Sequence, residues 1–320
     1  MKKTMLLILA GLILLAARMT TQAETNENSY SVWVGTHYTD FSDYRRKVGE
    51  YTLGKNEGRP EFRFDQFSRS GNSTFELSSH YFDPRNIFGR VATTSERLKG
   101  VFQYRSLTKQ YGQDLLSNLE TREWQSTRPG GKILTHELTD SGADYNVHRQ
   151  EILSRISLLM SEKSNLRLIA AHRMILQEGH KQLTSTNHCA SCHVVSQTAQ
   201  VDRTTHELEA GLQKEFGTST VGYQFGLRTF NSHAPTNNMG YDAAKHPVSG
   251  ASGPEFSSRL VFDDTSAAVG TEPNTRKLSH KVRAKGKMAG GQASGTVAIS
   301  RAENRNTDLN SDIVSGALSY

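Results

Sequence analysis

The chain has 320 residues, with 38 basic and 32 acidic side chains and a net charge of +6. Lys2, Lys3 and Arg18 fall in the first 23 residues, which hold no Asp or Glu, so the rest is close to neutral and a pI of 9.2 is no signature of a nucleic-acid partner. A mean hydropathy of −0.57 is low for one ordinary water-soluble core, yet 26 aromatic residues argue against disorder, and beyond residue 17 no apolar run approaches the ~20 residues of a spanning helix, which excludes a polytopic helical membrane protein.

In chain order, Lys2 and Lys3 precede an apolar stretch from Met5 to Ala17, and Thr21-Gln22-Ala23 offers small residues around a cleavage point. This predicts a secretory signal peptide over 1–23, cut after Ala23, with an uncleaved anchor helix as the alternative. The mature chain, 24–320, is then exported into a disulfide-permissive compartment.

The mature chain reads in period 2. Phe75, Leu77, Ser79 and Tyr81 alternate with Glu76, Ser78 and His80. Leu208, Ala210, Leu212 and Phe216 alternate with Glu209, Gly211, Gln213 and Glu215; Gly217-Thr218-Ser219 turns the chain, and Val221, Tyr223, Phe225 and Leu227 continue as the returning arm of a hairpin. Leu278, His280, Val282, Ala284 and Met288 stand opposite Lys277, Lys281, Arg283, Lys285 and Lys287. Further strands are predicted near 30–39, 45–54, 60–68, 98–108, 132–139, 147–160, 164–179, 257–263, 295–302 and 312–320. Asp114 to Glu123 reads as a short helix or a loop excursion, 83–97, 180–203 and 231–256 as long loops, and Gly286, Gly290 and Gly291 as a turn.

Long alternating segments, polar overall hydropathy and aromatic residues near segment ends (Tyr30 and Tyr38, Tyr81 and Phe82, Tyr223 and Phe230) predict an all-β fold, a transmembrane antiparallel β-barrel of roughly 12–14 strands in the outer membrane. A soluble sandwich or barrel is the other architecture that tolerates such alternation.

The only two cysteines lie in Cys189-Ala190-Ser191-Cys192-His193. C-x-x-C-H is the attachment signature of one covalent haem c: two thiols bond the vinyl groups, and the next imidazole, His193, ligates the iron. A local disulfide and a redox or zinc-binding thiol pair are the alternatives. His180, His188 and His206 lie nearby in sequence, and the sixth iron ligand stays open.

Cys189 to Val194, the run Val201-Asp202-Arg203-Thr204-Thr205-His206-Glu207-Leu208, the segment Val221 to Phe230 and Lys47-Val48-Gly49-Glu50-Tyr51 together resemble the MtrB/PioB family of outer-membrane barrels. The resemblance covers most of residues 30–230, and its Cys-containing stretch is the specific part. It implies a sheath around a periplasmic multihaem c-type cytochrome, often docked to an extracellular cytochrome, that conducts electrons across the outer membrane; the chain reads as a short member or an N-terminal portion. No hydrolase or metalloprotease motif is present, so the expectation is a non-enzyme in contact with membrane lipid and not with nucleic acid. A diffusion porin whose cysteines form a disulfide, and a soluble periplasmic monohaem β protein, are the competing functions.

Overall fold

The computed structural model describes residues 26–40, 50–51, 56–113, 134–138, 140, 143–161, 163–187, 192–241, 265–288, 290–307 and 309–319. Over these residues the chain is all-β, with strands β1 (Asn26–Thr39), β2 (Glu57–Ser70), β3 (Ser73–Asp83), β4 (Asn86–Thr94), β5 (Leu98–Gln110), β6 (Leu134–Leu138), β7 (Asn146–Ser161), β8 (Leu166–Asn187), β9 (Cys192–Phe216), β10 (Ser219–Ser232), β11 (Asn237–Tyr241), β12 (Thr265–Val269), β13 (Thr275–Met288), β14 (Gly291–Asn304) and β15 (Asn310–Ser319). One antiparallel meander runs β1-β2-β3-β4-β5-β7-β8-β9-β10-β13-β14-β15; β6 joins β9 in parallel, and β11 pairs with β12 in a sheet of their own. The main sheet has 13 strands, within the expected count. Among the described residues β1 and β15 are its two edges, and they run in opposite directions.

Several expectations need correction. The segment 83–97 is not a loop but contains β4, whose Ile87-Phe88 and Val91-Ala92 are adjacent apolar pairs that hide a period-2 pattern. The segment 180–203 is mostly strand, the far halves of β8 and β9, and 231–256 contains β11. Gly286 and Gly291 belong to β13 and β14, leaving Gly290 alone of the three glycines in the turn. Most of 45–54, all of 114–123 and 257–263, and the signal segment lie outside the described residues.

The register sorts side chains onto two faces, because alternate residues of every strand point the same way. One face carries a continuous apolar row, Leu98-Leu158-Leu168-Leu212-Tyr223-Val282-Val297, one residue from each of seven strands. None of the described residues covers it: Leu212 is 45% exposed and Val297 54%. The apolar band also slants across the ladder. It is centred on Val32 and Val34 in β1, on Leu208 to Leu212 in β9 and on Val314 to Leu318 in β15, the drift that tilted strands produce.

The opposite face is charged and self-neutralising over most of its width. Arg173 bridges Glu151 (2.7 Å) and Glu207 (3.3 Å), Arg228 also reaches Glu207 (3.3 Å), Arg149 meets Glu151 (2.8 Å), Arg155 meets Glu209 (3.4 Å) and Arg90 meets Glu76 (2.8 Å). Among the described residues few side chains are buried. The buried residues Tyr145, Val147, Ala199 and Val201, with Thr108 and Ser196, gather at one end of the sheet.

The two ends of the sheet differ. At one end the chain reverses through 71–72, 95–97, 162–165, 217–218 and 289–290, all short. At the other stand the connections 40–56, 111–145 and 233–274, together with the short 84–85 and 305–309 and the tip of the β8–β9 hairpin.

Candidate functional site

The β8–β9 hairpin places the cysteine motif. β7 pairs with β8 only as far as Val147↔Gly179, and β10 pairs with β9 only as far as Ser232↔Arg203. β8 and β9 continue beyond β7 and β10, from His180↔Gln200 to Asn187↔His193, eight more pairs in a ribbon about 26 Å long whose β9 edge is joined near the tip by β6. Gly179 stands at the point of departure with φ +149, and a Cβ there would lie 2.0 Å from the Asn146 carbonyl oxygen. Glycine is therefore required where β8 leaves β7.

Cys192 is the first residue of β9 and His193 the second, so both sit at the tip of this ribbon; Cys189 lies outside the described residues, in the 188–191 connection. β6 runs beside them in parallel, with Leu134 in register with Cys192 and Thr135 with His193. Of the histidines near in sequence, His180 is about 23 Å down the ribbon from His193, and His206 is about 40 Å down β9. His206 instead stacks on His172, ring nitrogens 3.2 Å apart, on the apolar face. Neither belongs to the tip, and His188 lies outside the described residues.

Two connections brace the base of the ribbon. From one side, the Asp140 carboxylate accepts the backbone N–H of Thr198 at 2.6 Å, and the Tyr145 hydroxyl shares a 3.2 Å hydrogen bond with that of Thr198. Hydrogen bonds from Thr198 hold the Asp140 carboxyl below its ordinary value. From the other side, Glu272 accepts Lys181 Nζ at 3.3 Å and Arg203 Nε at 2.6 Å, tying the segment after β12 to both ribbon strands. Burial pushes the Glu272 carboxyl up, but the hydrogen bonds and charges of Arg203 and Lys181 outweigh it and the net shift is downward. Gly270 packs its backbone beside Leu183 on the same side.

These braces, and the Arg149-Glu151-Arg173-Glu207-Arg228 chain across four strands, were not visible in the sequence. Their partners lie tens of residues apart, and no short-range spacing couples them. In the sequence, the two thiols separated by two residues and the imidazole immediately after are the donor set of a covalent haem, and the backbone of Cys192 and His193 lies between β6 and β8.

Comparisons place this geometry among known proteins as follows. No family model matches the chain, and no curated protein does. Among solved structures it is similar to a CymD monoaromatic hydrocarbon channel, at 10% identity and a TM-score of 0.35, covering 97% of this chain and 83% of that one.

Proposed function

We propose that the protein is an outer-membrane β-barrel that presents one c-type haem and serves as the membrane sheath of an electron conduit. The observation that carries this reading is Cys192 and His193 at the end of a ribbon reaching about 26 Å beyond β7 and β10, on a sheet with one apolar face that no described residue covers. An exposed apolar row opposite an ion-paired face costs heavily in water and is what lipid on one side and a wet interior on the other require. Short turns at one end and long connections at the other follow the pattern of bacterial barrels, which turn briefly in the periplasm. The opposite directions of β1 and β15 suit antiparallel closure. On this assignment the motif stands on the outer side.

Cys189 and Cys192 would hold the porphyrin by thioether bonds and His193 would ligate its iron; bound there, haem supplies a one-electron carrier held off the membrane surface. The partners are a periplasmic multihaem c-type cytochrome and an extracellular one, as the resemblance to MtrB/PioB barrels implies. The test is covalent haem. Protein made with the cytochrome c maturation machinery should keep a haem stain after denaturation, Cys192→Ser should weaken or abolish it, and His193→Ala should change the absorption spectrum of whatever haem remains. No stain, with a disulfide between Cys189 and Cys192 found by mass spectrometry, would replace the conduit by a diffusion porin.

A further inference from the structure

On the charged face most basic side chains of β7 to β10 are ion-paired, whereas β13 carries a whole row of cations without a carboxylate partner. There Lys277, Lys281, Arg283, Lys285 and Lys287 occupy successive or near-successive positions of that face. Their partners on β14 are Ala302, Ala298, Thr296, Ser294 and Gln292, and those on β10 are Arg228, Gln224, Gly222 and Thr220; none is acidic. Of the nearby carboxylates three are engaged elsewhere, and Glu215, on the same face two strands from Lys285 across Thr220, pairs with none of the five. Glu303 holds Arg276 (2.8 Å) and Arg301 (3.3 Å), Glu207 holds Arg173 and Arg228, and Glu209 holds Arg155. Among the described residues, the five β13 cations take part in no ion pair.

Three of them border a cavity of about 370 Å³ on this face, lined by Lys281, Arg283 and Lys285 on one side and by Arg155 and Glu209 on the other. Its floor is kept low by Gly222. A Cβ on Gly222 would meet only the Leu212 carbonyl oxygen, at 3.6 Å, so the space above it is open and not filled by a neighbour. Arg155 is held by Glu209, which leaves the β13 side with three cations facing open space. Like charges two residues apart on one strand repel, and no carboxylate of the described residues forms an ion pair with them.

We propose that this row is a binding site for small oxyanions, bearing sulfonate, phosphate or carboxylate groups, that enter the polar space of the sheet. Two or three negative groups on one molecule match cations spaced about 6.8 Å apart along a strand, and Gly222 gives the body of the ligand somewhere to lie. If the sheet surrounds a water-filled interior, the same row gives that interior a preference for anions.

The test uses the full chain folded in detergent and pyranine, a pyrene trisulfonate, as probe. Fluorescence anisotropy should show saturable binding that weakens as salt rises. The triple variant Lys281→Gln, Arg283→Gln, Lys285→Gln should lose about tenfold or more in affinity, whereas a control changing Lys99, Lys163 and Lys214 to Gln should bind as the parent does. Gly222→Val, which leaves every charge in place, should also weaken binding by filling the floor. Circular dichroism on each variant confirms the fold. Equal affinity in parent and triple variant, or an equal loss in the control, overturns the site. Haem stain and membrane retention, measured on the same preparations, report on the conduit reading separately: pyranine binding without haem leaves this site standing and removes the other.

Discussion

Asp140 and Glu272 are the side chains on which the posture of the ribbon depends. Each sits in a connection outside the meander and each clamps one side of the ribbon base, Asp140 through the Thr198 N–H and Glu272 through Lys181 and Arg203. Both carboxyls are held below their ordinary values of 3.8 and 4.5. A carboxyl whose folded value is depressed stabilises fully above its unfolded value and loses that contribution as pH falls through the folded one. The ribbon base should therefore be fully braced at neutral pH and loosen below pH about 4. Hydrogen exchange of residues 180–200, corrected for the intrinsic rate, should show more frequent opening at pH 3 than at pH 6, and Asp140→Asn should show the greater opening already at pH 6. Identical protection at both pH values would mean that the clamps do not hold the ribbon.

At the level of the element, the β8–β9 hairpin changes character along its length. Up to Gly179 and Arg203 it is an interior pair, with β7 and β10 on its flanks; beyond them it loses both neighbours and carries Lys181, Gln182, Thr184 and Ser185 on one strand and Thr198 and Gln200 on the other. An isolated two-stranded ribbon is marginal in water, which explains why β6 and the segment after β12 are recruited against it. Gly179 marks the change. Gly179→Ala would force a side chain into φ +149 and into the Asn146 carbonyl, and should destabilise the protein by about 1–3 kcal/mol. Denaturant titration of the detergent-folded protein measures this, and a change near zero would show that the β7 end yields freely. Asn165, at φ 46 in the β7–β8 turn, should by contrast accept glycine without loss, because glycine adopts that conformation at no steric cost.

On the scale of the molecule, the uncovered apolar row and the unequal ends of the sheet make two linked claims. The first is that lipid covers the row: the protein should stay with the outer membrane through a carbonate wash, and recovery in the soluble periplasmic fraction would refute it. The second is sidedness. An epitope inserted near Gln197 should be reached by antibody on intact cells, whereas the same epitope in the 217–218 turn should be reached only after the outer membrane is permeabilised. The reverse result would put the motif in the periplasm, on the same side as the machinery that attaches haem.

Strand identity was legible in the sequence wherever one face meets an apolar surrounding and the other does not. Leu208 to Phe216 and Val221 to Leu227 alternate because the register sends each apolar residue to one face, and β9 and β10 are where the pattern said. The C-x-x-C-H motif stands in the sequence by itself, complete within five residues. Strands whose two faces meet similar surroundings were illegible. The far halves of β8 and β9 mix polar residues with scattered apolar ones such as Leu183, Ala199 and Val201 and display no clean period, so 180–203 read as a loop, and β4 broke its own alternation with adjacent apolar pairs behind the Pro84-Arg85 turn. What only the tertiary structure decided is long-range: that Cys192 and His193 sit at the end of the β8–β9 ribbon, that Asp140 and Glu272 brace it, and that the row of cations on β13 faces no acidic residue on β10 or β14. Those facts depend on cross-strand register, which pairs residues tens of positions apart and leaves no mark in the spacing of either strand.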